Sequence, residues 1–221
     1  MLKFYYNPRS PMVRRVWRTL LEKEIFFEPI LMSLSGDQLQ PEFLEINPFH
    51  HIPVIIDDNL RVIESLAIID YLEIKYPSPA LLPKEAQALA TVRMVQMVST
   101  NELLAKAISL IYENEDSPKF LQAKEHIDKI LKFFAQSLGN NLYFGGEQLS
   151  VADIVAGTDI SLLPKMGVTL SNYPHLNDWF ERLMQREVWQ KTELCAEDFE
   201  KFKRVFLKLR QRKMNRVSNA K

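Results

Sequence analysis

His50-His51-Ile52-Pro53-Val54-Ile55-Ile56-Asp57-Asp58-Asn59-Leu60-Arg61-Val62-Ile63-Glu64-Ser65-Leu66-Ala67-Ile68 sets the architecture of the chain's first part. Two short apolar runs, Val54 to Ile56 and Leu60 to Ile63, are separated by Asp57-Asp58-Asn59, a hairpin signal that predicts an antiparallel pair. The apolar pattern then changes, and Leu66 to Lys75 reads as a helix entered through Glu64-Ser65, residues suited to a helix start. The segment is therefore a strand–strand–helix unit. Upstream, Leu2 to Tyr6 predicts a strand, Pro11 opens a helix, Phe27 to Leu31 predicts a second strand, and a loop with a short helix around Gln40 to Glu45 follows. The helix from Pro11 is well signalled. Ser10 supplies an N-cap hydroxyl, Pro11 sits where a missing N–H costs nothing, and Val13, Val16, Trp17, Leu20 and Leu21 recur on one face. The order is βαβ followed by ββα.

Downstream the character changes. Tyr76-Pro77-Ser78-Pro79-Ala80-Leu81-Leu82-Pro83 carries three prolines that forbid a continuous helix, so a linker belongs there. Long helical patterns follow, roughly Glu85 to Tyr112, Pro118 to Leu138, Ser150 to Leu163 and Leu176 to Arg186. Phe120, Ile127, Ile130, Leu131 and Phe134 draw an apolar stripe on the second of these. Ser150-Val151-Ala152-Asp153 is a capping box, flanked by Leu149 and Ile154 as a hydrophobic staple. The expectation is an α+β chain of two domains: residues 1–76, a linker over 77–84, an all-helical bundle over 85–198, and a tail over 199–221.

Composition excludes several classes. The 221 residues carry 28 basic and 28 acidic side chains, a formal charge of zero that conceals an asymmetry. Nine of the 28 basic residues (Lys201, Lys203, Arg204, Lys208, Arg210, Arg212, Lys213, Arg216 and Lys221) follow residue 200, where no acid stands, which leaves 19 against 28 in the body. An acidic body argues against a nucleic-acid binder spread over the whole molecule. A single cysteine, Cys195, excludes a disulfide framework, a Cys-x-x-Cys pair and a thiolate zinc site, and a reducing, cytoplasmic compartment fits best. The longest uncharged run, Phe133 to Gly146, is too short to span a bilayer, and the N-terminus lacks the apolar core of a signal peptide. Only Gly36 precedes residue 139 among six glycines, so neither a G-x-G-x-x-G turn nor a P-loop is present.

The element order, the proline-rich join and several motifs together resemble the cytosolic glutathione S-transferases, over about residues 2–190. The motifs are Gly36-Asp37-Gln38-Leu39-Gln40-Pro41-Glu42-Phe43-Leu44-Glu45-Ile46-Asn47-Pro48, His50-His51-Ile52-Pro53 and Glu64-Ser65-Leu66-Ala67-Ile68. Leu149-Ser150-Val151-Ala152-Asp153 and Tyr173-Pro174-His175-Leu176-Asn177-Asp178-Trp179 support them. The middle segment is most similar to the serine-type delta and theta classes. The resemblance implies a thioredoxin-like first domain that binds glutathione, a helical second domain, a homodimer, and nucleophilic attack by the glutathione sulfur on a small electrophile, the chemistry of detoxification. Glutathione is then a co-substrate, and no cofactor or metal is implied.

An ordinary thiol has a pKa near 8.5, so about 97% of it stays protonated at pH 7. A site that lowers the value by two units stabilises the thiolate preferentially by about 2.7 kcal/mol. A hydroxyl donor beside a helix N-terminus is a suitable device. Ser10 occupies such a place, and resemblance to the serine-type classes makes it the thiolate stabiliser; its plain reading is N-capping, and both can hold. The rival is Tyr5, which with Arg9 is similar to the tyrosine-type classes and otherwise reads as a strand residue. Cysteine-type chemistry is disfavoured, since Ser10 and Met12 stand where a cysteine is needed.

The resemblance also implies a cis Pro53, which turns the Ile52 N–H and C=O toward the cysteinyl backbone of glutathione. Glu64 and Ser65 receive the γ-glutamyl ammonium and carboxylate, and His50 or His51, with Gln38, the glycyl carboxylate. The two histidines read as one strand step apart on opposite faces and so do not chelate one metal. His126 and His175 read as surface or packing residues. The second substrate is expected between the domains, against the helix from Glu85, where Met94, Met97, Val98, Asn101, Leu104 and Tyr112 are candidates.

The tail has two readings. Phe199, Phe202, Phe206 and Leu209 recur on one face of a basic amphipathic helix. Either that stripe docks on the helical domain and Arg212 to Lys221 is a solubilising end, or residues 199–221 bind an anionic partner. The second reading carries the alternative function, a transferase fold kept as a non-catalytic interaction module.

Overall fold

Backbone is described for residues 1–33 and 36–218 in a computed structural model of the chain. The chain divides into two units, Met1–Leu82 with Arg186–Thr192, and Pro83–Gln185 with Glu193–Lys221.

The first unit contains β1 (Lys3–Tyr6), α1 (Pro11–Glu22), β2 (Glu28–Leu31), α2 (Pro41–Ile46), β3 (Val54–Asp57), β4 (Leu60–Ile63) and α3 (Ser65–Lys75). Its sheet runs β2-β1-β3-β4, with β1 parallel to β2 and antiparallel to β3. β3 and β4 form the expected hairpin, pairing Val54 with Ile63 and Asp57 with Leu60, and Asp58 turns it at a φ of 52°. Successive strand residues point to opposite faces. Tyr6 meets Trp17 of α1, with ring centroids 5.8 Å apart, whereas Tyr5 meets Phe43 of α2 at 5.9 Å. Helices α1 and α3 pack against each other.

Val13, Val16 and Leu20 are fully buried, as their spacing predicts, while Trp17 and Leu21 are only partly covered. Arg14, Arg15 and Arg18 are also fully buried, which the apolar pattern does not announce. The reason for Arg18 lies far along the chain. Its Nε donates to Thr192 Oγ1 at 2.9 Å, and its guanidinium lies 3.8 Å from the centre of the Trp189 ring. Arg186 adds a fork onto Glu22 of α1, at 2.9 and 2.6 Å. Residues 186–192, which sequence reasoning assigned to the helical domain, group with the first unit through these contacts and contain a short helix that no pattern predicted, α9 (Glu187–Thr192).

A buried ion pair closes this unit. Lys23, after the last turn of α1, donates to Glu73 of α3 at 2.7 Å and to the Pro79 carbonyl at 2.6 Å. Glu73 also accepts the Leu81 and Leu82 N–H groups at 2.8 and 3.2 Å, so one carboxylate ties α3 to the segment leaving it.

The second unit is helical: α4 (Ala86–Val98), α5 (Leu104–Tyr112), α6 (Pro118–Leu138), α7 (Val151–Ile160), α8 (Pro174–Met184) and α10 (Ala196–Ser218). The single helix expected over Glu85 to Tyr112 is interrupted by a π turn at Ser99–Leu103. There the buried Ser99 hydroxyl donates to Asp159 of α7 at 2.6 Å, a bond consistent with the locally widened backbone. All ten residues of α7 are buried, and its capping box is formed.

Asp153 is the hub of this unit. Its carboxylate accepts from the Ser150 N–H and hydroxyl, from the Phe144 N–H at 3.0 Å and from the Trp179 indole N–H at 2.8 Å. Burial pushes its pKa up, and the four donors pull against that rise.

In α10, Phe199 and Phe202 are buried with ring centroids 6.2 Å apart, and the helix packs on α5. Lys201 and Lys203 pair within the helix with Glu197 and Glu200, each at 2.7 Å. The side chains of the expected stripe residues Phe206 and Leu209, and of the basic Lys208, Arg210, Arg212, Lys213, Arg216 and Lys221, lie outside those described.

Asp153→Ala removes one acceptor and strands four donors, and should cost about 3 kcal/mol or more of unfolding free energy. Urea denaturation measures this; a loss below about 1 kcal/mol would show that the hub is replaceable.

Candidate functional site

Ser10 sits where the sequence predicts, as the N-cap of α1. Its Oγ accepts the Val13 N–H at 3.4 Å, and Pro11 takes the first helical position. The loop leading to it is held by a residue that sequence reasoning passed over, the buried Asn7. Its side chain donates to the Met32 carbonyl at 2.8 Å and accepts the Arg9 N–H at 3.0 Å, while its carbonyl accepts the Ser10 N–H at 3.1 Å. The rival Tyr5 lies on the face of the sheet opposite α1, half-buried among Met32, Phe43, Val54, Ile46, Ile52 and Ile63.

The Ile52–Pro53 bond is cis and directly precedes β3, whose Val54 pairs with Tyr5 of β1. Among the described residues, the Ile52 backbone has no hydrogen-bond partner. A second overlooked residue, the buried Asn47, fixes the loop before it. Asn47 donates to the His51 carbonyl at 2.8 Å, accepts the Phe49 N–H at 3.0 Å through its side chain, and accepts the His50 N–H at 3.1 Å through its carbonyl. Both asparagines precede a proline, at 7–8 and 47–48, and Asn-Pro pairs are turn initiators, a signal that was present in the sequence.

His50 and His51 are exposed in this loop, and His50 has a φ of 60°. They do not occupy successive strand positions, so the expected strand alternation is replaced by a left-handed turn. Gln38 lies on a 3-10 turn at Asp37–Leu39, with its Oε1 buried and without a hydrogen-bond partner among the described residues. No group of three metal-ligating side chains occurs among the described residues.

Glu64 and Ser65 open α3. Glu64 is exposed at φ 68° and ψ 120°, a backbone conformation suited to glycine and costly for other residues by about 1–3 kcal/mol. Ser65 is the first residue of α3 and is buried. Its hydroxyl donates to Met12 Sδ at 3.9 Å, and Arg15 Nη1 donates to the same sulfur at 3.2 Å. Met12 is the second residue of α1, so the N-terminal turns of α1 and α3 meet at its thioether. Neither helix has an acid in its first turn, and the positive ends of both are uncompensated by carboxylates there. The structure thus gathers Ser10, Met12 and Ser65, and sets Ile52 beside the end of β1.

Comparison with known proteins identifies the family. Residues 4–80 match the family described as the glutathione S-transferase N-terminal domain, and residues 75–187 match the C-terminal domain of the same family. A glutathione S-transferase of Hypomyces subiculosus is 33% identical over 86% of this chain and 97% of its own length. A glutathione S-transferase of Zea mays is 30% identical, over 86% and 92%. Among solved structures, a Drosophila melanogaster glutathione transferase superposes with a TM-score of 0.77 at 28% identity, covering 94% of this chain and 97% of that one. A delta-class enzyme of Nilaparvata lugens shares the fold at a TM-score of 0.80 and 24% identity, over 93% and 98%. Fungal, plant and insect relatives all match, and the matches do not single out one class. With both family domains in sequence order and relatives matched over nearly their whole length, the chain belongs to the glutathione S-transferase family and is a glutathione transferase.

Proposed function

We propose that this transferase binds glutathione along the first unit and lowers its thiol pKa with the Ser10 hydroxyl, so that the thiolate attacks a small electrophile. The observation that carries the reading is the direction of the Ser10 cap. Its oxygen accepts from Val13, which leaves the hydroxyl hydrogen to be donated to an anion beside the α1 N-terminus. Capping and thiolate stabilisation are then two uses of one side chain. The placement of Tyr5 against Phe43, on the face opposite α1, favours a packing role for that residue.

The remaining contacts follow from the chemistry of the tripeptide. The Ile52 N–H and C=O pair with the cysteinyl backbone as a short ladder behind the cis Pro53. Ser65 and the α3 N-terminal amides receive the γ-glutamyl carboxylate, and the exposed Glu64 carboxylate its ammonium. Gln38 and one of His50 and His51 face the glycyl carboxylate. The protein acts as a homodimer, the arrangement implied by the family resemblance. No observation favours the interaction-module alternative.

Conjugation of a model electrophile tests the donor. Ser10→Ala should lower kcat/KM by about 10- to 100-fold, the range expected for losing one hydrogen bond to a charged group, while Tyr5→Phe should change it little. A silent Ser10→Ala with a crippled Tyr5→Phe would reverse the assignment.

Glu64 offers an independent test, because its strain and its proposed contact have opposite consequences. Glu64→Gly should raise stability by up to about 1 kcal/mol by relieving the backbone. The same change should raise KM for glutathione about tenfold by removing the partner of the ammonium. An unchanged KM would remove Glu64 from the site.

A further inference from the structure

We propose that Met12 is a positioning residue for glutathione: its thioether holds the Ser65 hydroxyl as a weak, replaceable acceptor and yields it to the γ-glutamyl carboxylate. The inference deepens the site reading above and rests on it, since it needs Ser65 to contact the tripeptide.

The geometry of one sulfur atom is the starting point. Met12 Sδ takes a guanidinium N–H from Arg15 at 3.2 Å and the Ser65 hydroxyl at 3.9 Å. The first contact is close, and it comes from a side chain that is fully buried on the same helix, three residues along. It pins a side chain that is otherwise adaptable, with three rotatable bonds. Pro11 fixes the backbone one residue before it. The sulfur is therefore held from its own helix, while its contact with α3 is long even for a thioether.

A buried hydroxyl needs a partner, and Ser65 has only 6% of its surface exposed. Left alone, a serine at a helix start turns toward local backbone groups, which would aim its hydrogen away from the ligand. A thioether is among the weakest acceptors a protein has. It suffices to select one rotamer, and it loses to a carboxylate, whose hydrogen bonds are charge-assisted and roughly twice as strong as neutral ones. Met12 therefore presets Ser65 without competing with the ligand. Neither a stronger acceptor nor an apolar side chain at position 12 does both: the first retains the hydroxyl hydrogen, and the second leaves it to the backbone.

Steady-state kinetics on the full chain tests this with Met12→Leu, Met12→Gln and Ser65→Ala, alone and combined, reading KM for glutathione and kcat separately. Met12→Leu should raise KM by about threefold, the scale of a weak sulfur contact, with a smaller effect on kcat. Met12→Gln should raise KM further, because an amide oxygen competes with the carboxylate for the hydroxyl. In the Ser65→Ala background both Met12 substitutions should leave KM where Ser65→Ala alone puts it, since the coupling runs through the hydroxyl. Equal effects of the Met12 substitutions with and without that hydroxyl would overturn the proposal and leave Met12 a packing residue, with the site reading intact. If Ser65→Ala by itself leaves KM unchanged, Ser65 does not hold the tripeptide, and both the site reading and the role of Met12 fall. Two chemically different replacements keep the test valid if one of them does not fold.

Discussion

Two helix N-termini meet at Met12, and much of the first unit serves to hold them there. Each end carries unsatisfied N–H groups and the positive pole of a helix dipole, so bringing two together is unfavourable unless negative charge is supplied. The protein supplies none from the first turns of α1 and α3. Glu64, just before α3, is the nearest acid, and on the proposed reading it faces the ligand's ammonium, so the fitting charge comes from the ligand. A thiolate near Ser10 and a carboxylate near Ser65 would together satisfy both ends, and glutathione carries both groups on one short peptide. On the reading proposed above, the arrangement would favour a ligand with two negative groups.

The ends stay together because their helices are anchored at positions remote from the chemistry. Lys23, just past the far end of α1, and Glu73 in α3 form a buried ion pair that also captures the segment leaving α3. Breaking one partner of such a pair leaves an uncompensated buried charge, so the contact acts as a specific clamp whatever its net contribution to stability. Asn7 and Asn47 fix the two loops that present Ser10 and Ile52. Residues 186–192 close over Arg18 and Glu22 on another side of α1. In the second unit, Asp153 performs a similar service by binding α7, α8 and the Phe144 loop to one carboxylate.

Much of this was legible in the residues. The hairpin around Asp58, the capping of α1 by Ser10 and the Ser150–Asp153 box are local, and each is encoded within a few positions by residue types with specific backbone or capping preferences. The elements that escaped are those whose cause is distant. Apolar spacing found Val13, Val16 and Leu20 but not the burial of Arg18, because its partners Thr192 and Trp189 lie more than 170 residues away. The π turn at Ser99–Leu103, where Ser99 bonds Asp159 of another helix, is not revealed by any helical period. Strand alternation does not hold for His50 and His51, because they lie before the strand that starts at Val54, in a loop where Asn47 bonds the His51 carbonyl and His50 takes a positive φ. Met12 reads in the sequence only as a residue where a cysteine-type class would carry its cysteine, since nothing in a sequence shows which side chain a thioether will touch.

The direct test of the account is the ionisation of glutathione while it is bound, followed by the ultraviolet absorbance of the thiolate as pH is raised, in the wild type and in Ser10→Ala. The account predicts a wild-type midpoint about one to two units below the free-thiol value near 8.5, and a return most of the way to that value in the variant. Midpoints that coincide in the two proteins would contradict it and place the stabilisation of the sulfur elsewhere.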